Sequence, residues 1–429
     1  MSEIAASDQR SLSDLVTAVD LKITVRKDAT KPYVGLENIP SRGAQLLGWA
    51  PANSSISTNS VFLAGDILFG KLRPNLRKCV IATFGGYCST DILVLRPNAG
   101  IDPRFAGKVL SAERVGAAAE MTAVGTKMPR TSWKHLAQLR VFCPNLAEQA
   151  KIAQILDTLD TAIQDSEMIV DKLKGIKQGL LHELLTRGIA ANGELRPPQA
   201  EAPHLYKQSP LGWIPMGWEL RGVLDVAPTN RQCILTGPFG AELGQADFKA
   251  EGVPVLRIGN VQAGYIDWTD TQFVTLEKAN SLGKYRVLEG DLLFARQGAT
   301  TGRNALADGR ADGAVINYHI IRVAVDHGRC HPTYLYALFN SDRSKSQVDQ
   351  VKGRGTREGI NSEQIASLLF PLPRIDEQRE AVARIAAMDA TTASESLMLE
   401  KLQLTRVGLI DDLLTGRIRV TPLLAQSQQ

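Results

Sequence analysis

Residues 144–189 read PNLAEQAKIAQILDTLDTAIQDSEMIVDKLKGIKQGLLHELLTRGI, and residues 373–418 read PRIDEQREAVARIAAMDATTASESLMLEKLQLTRVGLIDDLLTGRI. The two stretches align without a gap at an offset of 229. Pro144, Leu146, Glu148 and Gln149 open the first as Pro373, Ile375, Glu377 and Gln378 open the second. Leu184, Leu185 and Thr186 close the first as Leu413, Leu414 and Thr415 close the second. In the first copy Ile152, Ile155, Leu159, Ala162, Ile169, Leu173, Ile176 and Leu180 alternate three and four residues apart, with a polar break near Ser166. That spacing predicts a coiled-coil seam. The second seam is poorer: Val382, Ile385, Met388 or Asp389, Leu399, Leu402 and Leu409. About 38 residues at ~1.5 Å each give a rod of roughly 57 Å. Neither rod is stable alone in water, so each needs a partner, most simply the other.

Working outward, the flanking stretches repeat as well. Val34-Gly-Leu-Glu-Asn38-Ile39 stands against Leu256-Arg-Ile-Gly-Asn260-Val261, and Gly65-Asp66-Ile67-Leu68-Phe69 against Gly290-Asp291-Leu292-Leu293-Phe294. Gly125-Thr126 stands against Gly355-Thr356. The offset drifts from 222 to 225 to 230, so the modules differ by small loop insertions while the rods do not. A duplicated rod beside a duplicated module suggests a ruler between two units with diverged targets. The expected division is a first module at 1–147, a spacer helix at 148–187, a linker at 188–209, a second module at 210–375, a second helix at 376–416 and a tail at 417–429.

Within the first module, Val61–Phe69 and Asp91–Arg96 read as strands, and Pro103–Glu120 as a helix. Pro332–Phe339 holds the matching helical place in the second. No apolar run reaches the roughly 18–20 residues of a membrane span, and the acidic, polar N-terminus argues for no export and a cytoplasmic chain. Five scattered cysteines without a CxxC read as reduced thiols, with no zinc site.

The net charge of +4 is unevenly spread. Residues 1–147 hold 18 Lys and Arg against 11 Asp and Glu; residues 148–187 hold 5 against 7, and residues 376–429 hold 6 against 8. Residues 188–375 are balanced, 20 against 19. The helices carry no positive excess and the first module carries most of it, which fits modules that meet phosphates and helices that meet protein, provided the basic residues of the second module cluster.

Candidate binding residues follow from the same alignment. Lys71, Arg73, Asn75, Arg77 and Lys78 lie in a turn after a strand with no acid among them, and Arg296, Gln297, Thr300, Thr301 and Arg303 occupy the matching place. Lys and Arg neutralise phosphates, and Arg, Gln and Asn also pair with base edges. Lys127 and Arg130 in the first module, and Lys352, Arg354 and Arg357 in the second, flank glycines that let backbone approach a ligand. A solvated basic turn is the plainer reading of each. Gly237-Pro238-Phe239-Gly240 reads as a tight turn whose Phe239 packs in the core.

There is no GxxxxGK[ST], GxSxG, HExxH, or short Asn/Asp-Pro-Pro-aromatic segment of the kind used for amino-methyl transfer, and the six histidines are dispersed. No catalytic residue, resident metal or cofactor is expected.

In its two modules and its helices with Pro-apolar-x-Glu-Gln openings and Leu-Leu-Thr ends, the chain resembles the specificity subunit of type I restriction–modification systems. Gly65–Pro74, Ile214–Trp218, Gly237–Gly240, Gly252–Asn260 and Gly290–Gly302 are similar to that family's wording, and the resemblance covers about residues 10–420. It implies an α/β (α+β) fold: two mixed α/β target-recognition domains separated by an antiparallel coiled coil, in a pseudo-twofold repeat. It implies a non-catalytic subunit that reads double-stranded DNA, each domain one half of a bipartite, asymmetric site. It implies two methyltransferase subunits on the helices, with restriction/translocase subunits joining them. S-adenosylmethionine, ATP and Mg would belong to those partners. A fused methyltransferase or nuclease with an unfamiliar active site, and a protein-interaction scaffold that binds no DNA, are the competing readings.

Overall fold

The computed structural model describes residues 8–24, 31–41, 45–52, 58–297, 302–351 and 360–426. The chain divides into two compact units, Met1–Val170 with Glu395–Gln429, and Asp171–Ser394. Both divisions fall inside a long helix, so each unit holds one module and parts of both helices.

In the first unit β1 (Val16–Val19), β2 (Ile67–Gly70), β3 (Cys79–Ile81) and β4 (Ile92–Pro97) form an antiparallel sheet in the order β1-β4-β2-β3. A five-stranded sheet lies beside it in sequence, with Pro32–Val34 pairing parallel to Gly86–Cys88. The Val61–Phe69 expectation divides into Thr58–Phe62 and β2 because Gly65 turns the chain at φ +88°. Asp66 holds that turn: its carboxylate accepts the Leu63 N–H at 2.8 Å and two bonds from Arg96. The expected Pro103–Glu120 helix also breaks in two. Asp102 caps α1 (Pro103–Ser111), Ala112 turns extended at ψ 153°, and a second helix runs Glu113–Met121. Next comes α2 (Leu146–Thr186).

The second unit repeats this order. β5 (Ile234–Thr236), β6 (Leu292–Ala295), β7 (Asn304–Leu306) and β8 (Ile320–Val323) form a sheet in the order β5-β8-β6-β7. Gly290 again has φ +88°, and the buried Asp291 accepts the Leu288 N–H at 2.8 Å. The helices α3 (Pro332–Asn340) and α4 (Ile375–Thr415) follow. Each long helix has 41 residues, and both ends are offset by 229.

The shared helix openings are explained by what they touch. Buried Gln149 donates to Pro144 O at 2.8 Å and accepts the Asp102 N–H, just ahead of α1, at 2.9 Å. Buried Gln378 donates to Pro373 O at 2.8 Å and accepts the His331 N–H, just ahead of α3, at 2.8 Å. One side chain thus satisfies two buried backbone groups in each copy. Glu148 is bridged by Arg419 at 2.6 Å, and Glu377 by Arg196 at 3.0 Å. In both copies the Glu partner is an arginine beyond the C-terminus of the other long helix. The Leu-Leu ends are core residues: Leu413 and Leu414 join the first module's core, and Leu184 and Leu185 the second's.

The seam of α2 is not the expected one. Ile152, Leu156, Ile163, Ser166 and Val170 are buried, with Leu159, Leu173, Lys177 and Leu180 partly covered between and beyond them, while Ile169 and Ile176 are each 46% exposed. Starting at Ile152 the true stripe takes four residues first and then three. The expected one took three first and slid onto the neighbouring face. Ser166 is part of the seam, not a break in it. On α4 the equivalent stripe is Ala381, Ile385, Met388, Thr392, Glu395, Leu399, Leu402, Arg406, Leu409 and Leu413.

Candidate DNA interface

The first basic segment spans the turn from β2 to β3. Arg73 and Arg77 flank a short turn at Pro74–Leu76, both in the left-handed region at φ 51° and 50°. The structure joins this segment to the second one. Arg73 N donates to Pro129 O at 2.9 Å, Thr131 N donates to Lys71 O at 3.1 Å, and Leu72 bridges Arg130. Two basic stretches more than fifty residues apart therefore form one edge carrying Lys71, Arg73, Asn75, Lys127 and Arg130.

These side chains differ in what they can do. Arg73, Asn75 and Lys127 are exposed. Arg130 donates twice to Asp91, at 2.9 and 3.1 Å, which raises its pKa and lowers that of Asp91. Burial pushes the Lys71 ammonium down, against the opposing pull of Asp91. Arg77 is turned away from this edge, bonded to Glu113 and 3.8 Å from Glu120. Lys78 is spent inside, donating to Leu36 O at 2.7 Å and Ile39 O at 2.6 Å.

Sheet register matches the second module to this frame. Lys71 N donates to Asp91 O at 2.8 Å, and Arg296 N to His319 O at 2.9 Å. Thr131 N meets Lys71 O, and Ile360 N meets Arg296 O at 3.0 Å. Arg296 thus replaces Lys71, and His319 replaces Asp91. Arg303 stands where Lys78 does, opposite the same strand position, and it also pins a loop, donating to Gln262 Oε1 at 2.7 Å. Gln297 accepts from His319 Nδ1 at 3.1 Å. Thr300, Thr301, Lys352, Arg354 and Arg357, with the Gly355-Thr356 half of the repeat, lie outside the described residues.

Phe239 does not pack in the core as expected. It is 57% exposed, with its ring centroid 5.8 Å from Tyr318 and 5.7 Å from the Arg296 guanidinium. Tyr318 and His319, whose rings are 3.6 Å apart, escaped sequence reasoning. Their one signal was their place, just ahead of the strand that follows Asp91 in the other copy. Burial first, then Arg296, lowers the His319 pKa.

All five cysteines are buried and unpaired, and burial pushes the Cys79 thiol up to about 12. Among the described residues no group of three or more His, Cys, Asp or Glu could hold a metal, and no helix is long and apolar enough to cross a membrane.

Two copies of one fold, each with polar and cationic side chains at the same strand ends, define a duplicated two-module protein. The family model described as type I restriction modification DNA specificity domain matches residues 54–174 and 219–404, and the chain belongs to that family. Among curated relatives, the MjaVIII specificity subunit of Methanocaldococcus jannaschii is 23% identical over 70% of this chain and 67% of its own. The putative MjaX specificity subunit of the same organism is 22% identical over 96% of this chain and 93% of its own. The EcoKI specificity subunit of Escherichia coli is 25% identical over 72% and 62%. The fold is shared with a chain of a solved type I R-M system, at a TM-score of 0.58 and 15% identity over 96% of this chain and 98% of that one. It is also shared with the S subunit of M. genitalium, at 0.52 and 14% over 95% of each. Like these relatives, the chain is a non-catalytic specificity subunit with an α/β fold built as a repeat.

Proposed function

We propose that each module reads one half of a bipartite, asymmetric site in double-stranded DNA, and that the exposed residues of the two matched edges make the contacts. The observation that carries this is a retained frame with changed side chains: Lys71 and Asp91 in one module, Arg296 and His319 in the other. Phosphate contacts position a protein and base contacts specify, so two frames with different edges take two different half-sites.

The long helices hold the partner subunits. Met168 and Ile169 on α2 are exposed, and so are Leu397 and Met398, 229 residues further on α4. An apolar patch displayed twice suits a partner present twice. That supports two methyltransferase subunits on the helices, with restriction/translocase subunits joining them. S-adenosylmethionine, ATP and Mg are used by those partners, in the cytoplasm.

The test replaces the second module, residues 210–375, with a second copy of the first, residues 1–147, in a host carrying the methyltransferase partner. Methylated-base sequencing should move from an asymmetric site to one built from two copies of the first half. An unchanged site would contradict the assignment of one half to each module.

A further inference from the structure

The Phe239 ring is exposed rather than packed in the core, yet its neighbours fix its place. Gly237 lies so close to the segment leading into β8 that a Cβ there would meet Asn317 O at 2.2 Å. No other residue type fits that approach, so the turn is fixed where it leaves β5. The ring is then braced by Tyr318 on one side and Arg296 on another. Sheet register aligns β5 with β1 of the first module. Leu292 lies opposite Val323 as Ile67 lies opposite Leu95, and Val323 pairs with Ile234 as Leu95 pairs with Ala18. Beyond the paired residues the two copies part: Phe239 lies in the loop after β5, whereas Ile23, at the same count from Ala18, lies in a strand of the five-stranded sheet opposite Asn59.

Phosphates have no use for an apolar ring. In the major groove the one apolar feature of a base edge is the thymine C5-methyl, against which phenylalanine and other apolar side chains pack. We propose that Phe239, fixed by Gly237 and braced by Tyr318, is a specificity-determining residue of the second module that packs on the C5-methyl of a thymine in its half-site. The inference rests on the DNA-reading assignment above and adds the chemical group that is read.

The experiment uses the full chain with its methyltransferase partner and a duplex carrying the methylated site. Each thymine of the second half-site is replaced in turn by deoxyuridine, which removes only the methyl. At one position wild-type affinity should fall about fourfold, the worth of one buried methyl group. Phe239→Ala should bind the thymine and uracil duplexes alike at that position, with an unchanged salt slope. Phe239→Leu, still apolar, should keep part of the discrimination. Wild type indifferent to every replacement, or Phe239→Ala retaining full discrimination, overturns the proposal. Neither result touches the broader assignment, which fails only if wild type shows no salt-dependent, site-selective duplex binding.

Discussion

Asp160 of α2 is ion-paired with Arg406 of α4, and the same pair is made a second time, 229 residues displaced, by Asp389 with Lys177. Asp389 is the repeat of Asp160, and Arg406 the repeat of Lys177. Lys177 and Arg406 are seam positions where the three-four spacing calls for an apolar residue, and each is answered by an aspartate of the other helix. The second helix contact of the first unit, Gln403 to Glu167, descends α4 as it climbs α2, so the helices run antiparallel there. A charge at a seam costs stability and fixes register.

The first prediction concerns that pair. The Asp160 carboxylate lies between Arg406 and Lys108 and is mostly covered. Asp160→Asn should lower stability to urea by about 2 kcal/mol, because Arg406 loses its carboxylate and Lys108 keeps only Asp157. A cycle with Arg406→Gln should return a coupling of about 1 kcal/mol. Additive single effects would mean the two residues act independently.

Acid should loosen the first unit through Glu148. Its buried carboxylate takes bonds from Arg419 at 2.6 and 3.0 Å and from Thr421 at 2.8 Å. The hydrogen bonds from Arg419 lead in holding its pKa below the ordinary 4.5, against burial. A depressed folded-state value stabilises above the unfolded value and loses that contribution as pH falls through the folded one. Thermal melts should therefore show wild type above Glu148→Gln at pH 7, with the two converging as the pH falls below about 4. A constant gap across the range would assign the effect to packing.

The cations should separate into two groups. Arg73→Ala and Lys127→Ala should each weaken binding to all duplexes and reduce the salt slope by about one, with stability unchanged. Arg77→Ala and Lys78→Ala should instead lower stability by about 1–3 kcal/mol, since Glu113 and the carbonyls of Leu36 and Ile39 lose their donors. Anisotropy titrations at several salt concentrations, beside urea melts, distinguish the groups. A reduced slope in Arg77→Ala without loss of stability would return that residue to the interface.

The duplication was legible from the sequence because it needs only register, and both helices begin and end 229 residues apart as aligned. The faces were less legible. α2 carries two apolar stripes one residue apart, Ile155-Ile169-Ile176 and Leu156-Ile163-Val170, and only the packed neighbours choose between them. The site was legible as places more than as side chains. A basic turn shows which cations are present, but not that Arg77 meets Glu113 thirty-six residues away or that Arg130 meets Asp91. Phe239 misled because apolar residues are usually buried, whereas its turn faces outward. Tyr318 and His319 belong to no motif, and only strand register places them at the edge.

The last prediction separates distance from reading. Both long helices have 41 residues while the module loops vary, so helix length is the quantity held constant. We propose that it sets the spacing between half-sites. Seven residues inserted at matching points of α2 and α4 preserve the three-four seam, since two turns of a coiled coil span seven residues. The helices lengthen by roughly 10 Å at ~1.5 Å per residue, which corresponds to about three base pairs at ~3.4 Å each. An insertion of four would shift the seam onto the Ile169 face and should cost stability as well. Methylated-base sequencing in a host carrying the seven-residue variant with its methyltransferase partner should find the same bases in each half and a longer spacer between them. Methylation at the original spacing would mean that the partner subunits set the distance. A change of bases within either half would mean that the helices take part in reading.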